Sequence, residues 1–296
     1  MRRGVWQAAG AYAIWGLLPL YWRALHEVPA LQLISHRIVW SSVLLTIVLL
    51  VLGQVRSFRS VAFKPRTLGI YAVAALLLGV NWLTYVWGVN AGFVVETSLG
   101  YFINPLLSVV LGVVFFGERL RPAQWGAVGL AAAGVAYLTF DYGRLPWIAL
   151  VLAFTFATYG LVKKTAPLGS VDGLALETGI LFVPAAAVLL LAERAGTGHL
   201  GGSDWRTLAL LVGAGVVTTV PLLLFATAAR AIPLVWIGIL QYIAPTIQFL
   251  LGVFVFRETV SAHTLVGFGM VWAALAIFAG EGLVRRATAP IPVTAE

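Results

Sequence analysis

Ionisable side chains inside long apolar runs are the first candidates for chemistry, because each costs roughly 3 kcal/mol or more at a helix centre in hydrocarbon. In this chain they are His36, Arg37, Glu96 and Glu177. Arg37 has the permanent charge to hold an anionic group, a partly buried Glu96 or Glu177 has the chemistry to exchange protons, and His36 titrates nearest neutrality. The bland alternative for each is an ion pair, a bonded packing residue or a rim side chain reaching for water. Arg37 lies about two turns and Glu96 less than about one turn into its apolar run, so a pair between them is geometrically open.

A second group surrounds two prolines. Pro105 and Pro245 sit at the centres of apolar runs, and each lacks an N–H, so the carbonyls of Tyr101 and Gln241 lose their helical partners. Asn104 and Tyr242 adjoin these kinks, and Asn81 lies in another apolar run. Trp15 and Trp82, with Tyr85 and Trp87, would wall a cavity for aromatic or cationic solutes, packing being the equal alternative. Trp6, Trp22, Trp125 and Trp147 fall near the ends of apolar runs and read as interfacial anchors.

Catalytic and cofactor chemistry has little support. With no Cys, disulfides, thiolate nucleophiles and thiolate metal sites are excluded. The His residues, at 26, 36, 199 and 263, are scattered without metal-ligand spacing, and the Asp residues fall in expected loops, so neither a metal nor a cofactor is expected. No Gly-x-x-x-x-Gly-Lys-[Ser/Thr] loop is present to harness ATP. A membrane-embedded enzyme stays open as the alternative, because catalytic partners meet in space and not in sequence. A membrane scaffold comes third, since the short loops offer little surface to soluble partners.

These side chains must be positioned by membrane helices. Of 296 residues, 61 % are hydrophobic and 10 % charged, with a mean hydropathy of +0.97. A soluble domain carries roughly 25 % charged residues, so there is too little polar surface here to cover a water-soluble globule. Uninterrupted apolar runs of about 20 residues indicate spanning helices, not the alternating strands of a barrel. The spans are expected near 4 to 22, 29 to 53, 67 to 88, 93 to 116, 122 to 140, 146 to 162, 172 to 192, 207 to 229, 234 to 256 and 262 to 282. Asn90-Ala91-Gly92 is the expected turn in the long apolar stretch between Arg66 and Glu118.

The net charge of +8 is distributed between runs instead of forming one basic face, which argues for membrane orientation and against nucleic acid as a partner. With the N-terminus inside, 13 cations fall on the cytoplasmic side and 5 on the other, so both termini are expected in the cytoplasm. Arg2 and Arg3 precede an apolar run without a small-residue cleavage site, so that run is expected to be retained as the first helix.

An offset of 140 positions aligns 67 to 118 with 207 to 258 without a gap. Ile103, Pro105, Leu111, Gly112, Val113, Phe116 and Glu118 recur as Ile243, Pro245, Leu251, Gly252, Val253, Phe256 and Glu258. Two five-helix halves, 4 to 140 and 146 to 283, are thus expected, followed by a flexible cytoplasmic tail from 284 to 296. Because five is odd, the second half starts on the opposite side of the membrane. An all-α integral membrane protein of ten transmembrane helices in two inverted repeats carries alternating-access transport of a small molecule as its default reading. Protons are a candidate coupling ion.

At these residues the chain resembles the RarD-type transporters of the drug/metabolite transporter superfamily, whose EamA domains are five-helix repeats. The resemblance runs from Gly4 to Leu283. Its specific parts are Ala13-Ile14-Trp15-Gly16, His36-Arg37, Asn81-Trp82, the run from Glu96 to Pro105, and Gly117-Glu118-Arg119. In the second half they are Tyr159 to Val162, Glu177-Thr178, and Gln241-Tyr242-Ile243 with Pro245. Where the resemblance calls for Gly-Glu at the end of the ninth span the chain has Arg257-Glu258, which puts that turn in question. The resemblance implies an exporter or permease of small metabolites or amphiphilic drug-like compounds in a bacterial inner membrane. The family's association with chloramphenicol sensitivity does not define a substrate.

Overall fold

The computed structural model describes residues 2–91, 93–141, 145–200, 204–257 and 261–288, and the described residues contain helices and no strand. The helices are α1 (Arg2–Arg23), α2 (Ala30–Val51), α3 (Val55–Ala62), α4 (Pro65–Asn90), α5 (Val94–Phe116) and α6 (Pro122–Asp141). There follow α7 (Trp147–Thr165), α8 (Ser170–Arg194), α9 (Trp205–Ala231), α10 (Leu234–Gln241), α11 (Ile243–Leu250), a π-helical turn (Leu251–Val255) and α12 (Ala262–Thr288). Proline opens several of them: Pro65 and Pro122 occupy first positions, and Pro29, Pro146 and Pro233 immediately precede α2, α7 and α10. A first-turn N–H has no helical acceptor, so its loss there is harmless.

Among the described residues nine segments are long and apolar enough to cross a bilayer, one of them made of α10, α11 and the π-helical turn together, from Leu234 to Val255. The tenth expected span, α1, has 22 residues and a crossing length, but Gln7, Pro19 and its several Gly, Trp and Tyr residues make it less apolar than the other nine and leave it outside that group. The short helix α3 was not expected. Its Phe58, Val61 and Ala62 lie against Tyr71, Ala166, Leu168 and Leu176, while Arg56 and Arg59 are exposed. It is an amphipathic helix of about two turns lying beside the ends of α4 and α8. The helix α12 continues through Thr288, past position 284 where a tail was expected; residues 289–296, like Gly92 of the expected turn and Glu258, lie outside the described residues.

The helices pair across the halves. The segments α5 with α7, α6 with α12, α2 with α8 and α9, α1 with α9, α10 and α11, α5 with α10, and α4 with α7 and α8 are neighbours. Small residues allow two of these approaches. A Cβ on Gly16 of α1 would lie 2.7 Å from Ile247 Cβ and 3.1 Å from the Ala244 carbonyl of α11. A Cβ on Gly100 of α5 would lie 3.0 Å from Leu152 Cβ and 3.3 Å from the Ala149 carbonyl of α7. At the α5/α10 crossing the Tyr242 hydroxyl donates to the Phe102 carbonyl at 3.1 Å, between residues that correspond under the 140-position offset.

The two prolines act unequally. α5 runs unbroken through Pro105, whereas the helix carrying Pro245 is interrupted at Tyr242, between α10 and α11. The ends of these segments nevertheless match. Gly117 closes α5 with φ +61°, and Arg257 takes the corresponding left-handed position with φ 56° although it is not glycine. The turn questioned from sequence is therefore built, at a backbone strain of roughly 1 kcal/mol.

Candidate functional site

A cavity of about 150 Å³ lies inside the bundle, walled by α1, α2, α4, α5, α7, α9, α10 and α11. It occupies the half of the bundle nearer the end bearing Arg23. On α1 the residues Tyr12, Trp15, Pro19 and Trp22 line it at the 3- and 4-residue spacing of one helix face. Asn81, Trp82 and Tyr85 face it from α4, and Tyr101 and Asn104 from α5. Phe156 comes from α7, Gln241 from α10, and Pro245 and Gln248 from α11.

Arg37 projects from α2 into this wall. Its guanidinium carbon stands 4.9 Å from the Trp22 ring centroid and 4.7 Å from that of Trp82, an arrangement in which two π faces support one cation. Its Nε donates to Thr218 Oγ1 at 2.9 Å. Among the described residues it has no carboxylate partner. Asn81 spends both amide hydrogens on α7, donating to the Leu152 carbonyl and to Thr155 Oγ1, each at 2.9 Å. Asn104 Oδ1, Gln241 Oε1 and the Tyr12 hydroxyl are buried in the lining residues without a hydrogen-bond partner among the described residues.

Toward the other end the cavity is closed by rings. Trp15 contacts Tyr12, Phe156 and Phe225 with centroids 5.5, 5.7 and 5.8 Å away, and Phe225 stacks on Tyr159 at 5.9 Å and 12°. Beyond this plug lies a buried ion pair, Lys163 Nζ to Glu177 Oε1 at 2.7 Å, completed by the Tyr159 hydroxyl donating to Glu177 Oε2 at 2.9 Å. Nearer the same end Glu118 accepts the N–H groups of Leu234 and Val235 at 2.7 and 2.8 Å, where the α10 helix dipole favours a negative charge. Lys164 stands 3.7 Å from Glu118 and donates to the Ile232 carbonyl at 2.6 Å.

The comparisons with known proteins decide the family. The model of the EamA-like transporter family matches residues 2–140. Protein RarD of Streptomyces exfoliatus is 45 % identical over 99 % of this chain and 94 % of its own length. An uncharacterized transporter of Bacillus subtilis, YojE, is 45 % identical over 94 % of this chain and 93 % of its own. The RarD protein of Escherichia coli is 42 % identical over 96 % of each. This chain belongs to the RarD-type EamA transporters. It is a membrane transporter that crosses the bilayer many times. A crystal structure only 19 % identical shares the fold, with a TM-score of 0.69 over 93 % of this chain and 96 % of the other.

Within this family frame the residues singled out from sequence divide into two sets. Trp15, Arg37, Asn81, Trp82, Tyr101, Asn104, Gln241 and Pro245 meet at the cavity. His36, Glu96, Pro105, Glu177 and Tyr242 lie outside its wall. Glu96 does not meet Arg37 in an ion pair; its Oε1 accepts the Ile148 N–H at 2.7 Å, at the start of α7. Glu177 is not a rim residue, since Lys163, counted from sequence as a loop cation, is 2 % exposed and pairs with it inside the fold. His36 is fully buried.

Sequence reasoning missed Tyr12, Thr218 and Gln248, and took Trp22 for an interfacial anchor. The α1 spacing from Tyr12 through Trp15 and Pro19 to Trp22 was the available signal for two of them. Of the aromatics read as candidate cavity walls, Trp87 instead packs against Phe93 and Trp147 at 5.7 and 5.5 Å.

Proposed function

We propose that this transporter is a secondary-active or facilitative exporter or permease that carries a small organic solute by alternating access, with the central cavity as its substrate site. The observation that carries the reading is that helices from 4 to 140 and from 146 to 283 wall one cavity together, with an aromatic plug against one side of it. Treating those two segments as inverted repeats is supported by the neighbour pairs. Exchanging the halves turns α5/α7 into α1/α10–α11, α2/α9 into α4/α8 and α1/α9 into α4/α7, each of which is an observed neighbour pair. Alternating access needs such interchangeable packings. With both termini in the cytoplasm, as the cation distribution supports, the cavity faces the outside and the plug seals the inner side.

The test is solute flux in proteoliposomes containing purified protein, across a panel of metabolites and amphiphilic compounds. Trp15→Ala and Gln241→Ala should abolish flux of any transported solute while leaving the protein folded. Full flux in both folded variants would remove the cavity from the transport path. Repeating the flux with and without a pH gradient decides whether protons are coupled.

A further inference from the structure

We infer that the cavity takes a small organic carboxylate with an aromatic or apolar body and at least one hydrogen-bond donor, and turns away organic cations. This rests on the reading of the cavity as the substrate site.

Three features converge on that chemistry. Arg37 is a permanent cation held inside the bundle, and among the described residues one acceptor, Thr218 Oγ1, and two indole faces are its whole protein environment of bonds and ring contacts. Nε is thereby used, and the remaining guanidinium hydrogens form the fork that matches a carboxylate. The described lining contains Arg37 and no Asp or Glu, so a bare positive charge waits at this depth for a counter-ion that the wall does not supply. A charge in such surroundings is costly to leave unpaired.

The second feature is a set of polar groups left over. Asn104 is 4 % exposed and Gln241 5 % exposed, yet Oδ1 of one and Oε1 of the other have no partner, and the Tyr12 hydroxyl shares that state. Buried polar atoms are nearly always satisfied, so three unsatisfied ones in one wall mark places where a ligand or its water bonds. The oxygen and nitrogen of a carboxamide exchange by rotation, so each amide accepts a ligand hydroxyl or N–H through its oxygen in one setting and donates to a ligand acceptor through its nitrogen in the other. The third feature is the ring surface of Trp15, Tyr85, Tyr101 and Phe156, which suits a flat apolar body.

The exclusion of cations follows from the same inventory. Without a lining carboxylate, a bound ammonium would face the Arg37 charge at low dielectric with only π faces to offset it.

Three probes of one shape separate these terms: indole-3-acetate, 3-methylindole and tryptamine are an anion, a neutral and a cation on the same ring. Calorimetric titration into purified protein in detergent should show saturable binding of indole-3-acetate and at least tenfold weaker binding of tryptamine. This selectivity is read on the unaltered chain and depends on no variant's folding. Arg37→Gln should lower indole-3-acetate affinity at least tenfold and leave 3-methylindole affinity within about twofold, whereas Arg37→Lys retains part of the anion preference. Tryptamine binding as tightly as the acetate, an Arg37→Gln variant that keeps wild-type acetate affinity, or no saturable binding by any probe would overturn the inference. Saturable anion binding without any flux would sink the transport reading alone, and cavity-dependent flux of cations unaffected by the anion would sink the carboxylate inference alone.

Discussion

Two cations inside the bundle, the half-buried Arg37 and the buried Lys163, sit on opposite sides of the aromatic plug and are treated in opposite ways. Lys163 has a full protein answer to its charge: Glu177 at 2.7 Å, with the rings of Tyr71 and Tyr159 at 5.5 and 5.8 Å. Arg37 has rings and one hydroxyl but no carboxylate among the described residues. A charge neutralised within the fold is committed to holding helices together. A charge whose counter-ion is missing, beside a cavity, is available to what enters. On the proposed reading of the cavity the same residue class serves cohesion on one side of the plug and recognition on the other, and the neighbours alone decide which.

Breaking one partner of the closed pair should produce the largest effect. Glu177→Leu strands Lys163 and is expected to destabilise the protein by about 3–5 kcal/mol in chemical denaturation in micelles. The double variant Lys163→Met/Glu177→Leu should recover most of that loss, because two apolar groups replace a desolvated pair. A single variant indistinguishable from wild type would erase the contrast. Arg37→Gln should behave in the opposite manner: stability unchanged within about 1 kcal/mol or raised, as removal of an unpaired charge predicts, and flux of the cavity's solute down at least tenfold. A large loss of stability there would move Arg37 into the cohesive class.

Smaller effects sharpen the picture at the helix ends. Glu118→Gln removes the charge that faces the start of α10 and Lys164, and a loss of about 1 kcal/mol is expected by the same denaturation. Arg257→Gly relieves a left-handed backbone and should stabilise the chain by about 1 kcal/mol, seen as a raised Tm.

The spans were legible because hydrocarbon demands apolar length, and helices α2 and α4 to α9 begin and end within a few residues of expectation. The same ruler hid α3, whose eight residues are too short to cross and whose apolar face shows only once Tyr71 and Ala166 lie under it. It also misassigned Lys163, since a basic residue at the end of an apolar run looks like a loop cation until Glu177 on α8 is seen to meet it. Trp22 was ambiguous for a related reason: one position near the end of α1 is compatible with a lipid interface and with the rim of an internal cavity. The pair left open between Arg37 and Glu96 does not form, because depth in a helix says nothing of direction, and the start of α7 offers Glu96 a backbone N–H. Pro105 and Pro245 matched in sequence but not in outcome, since a proline's missing bond permits a break without compelling one.

That inequality between α5, unbroken at Pro105, and its counterpart, interrupted at Tyr242, bears on how the transporter rests. Were the two halves identical, swapping their conformations would turn the molecule inside out at no change in free energy, and the two orientations of the cavity would be equally populated in a symmetric membrane. A break present in one half only lifts that degeneracy. Under the proposed alternating access, the empty carrier then has a preferred side, set by the chain itself before any gradient acts on it.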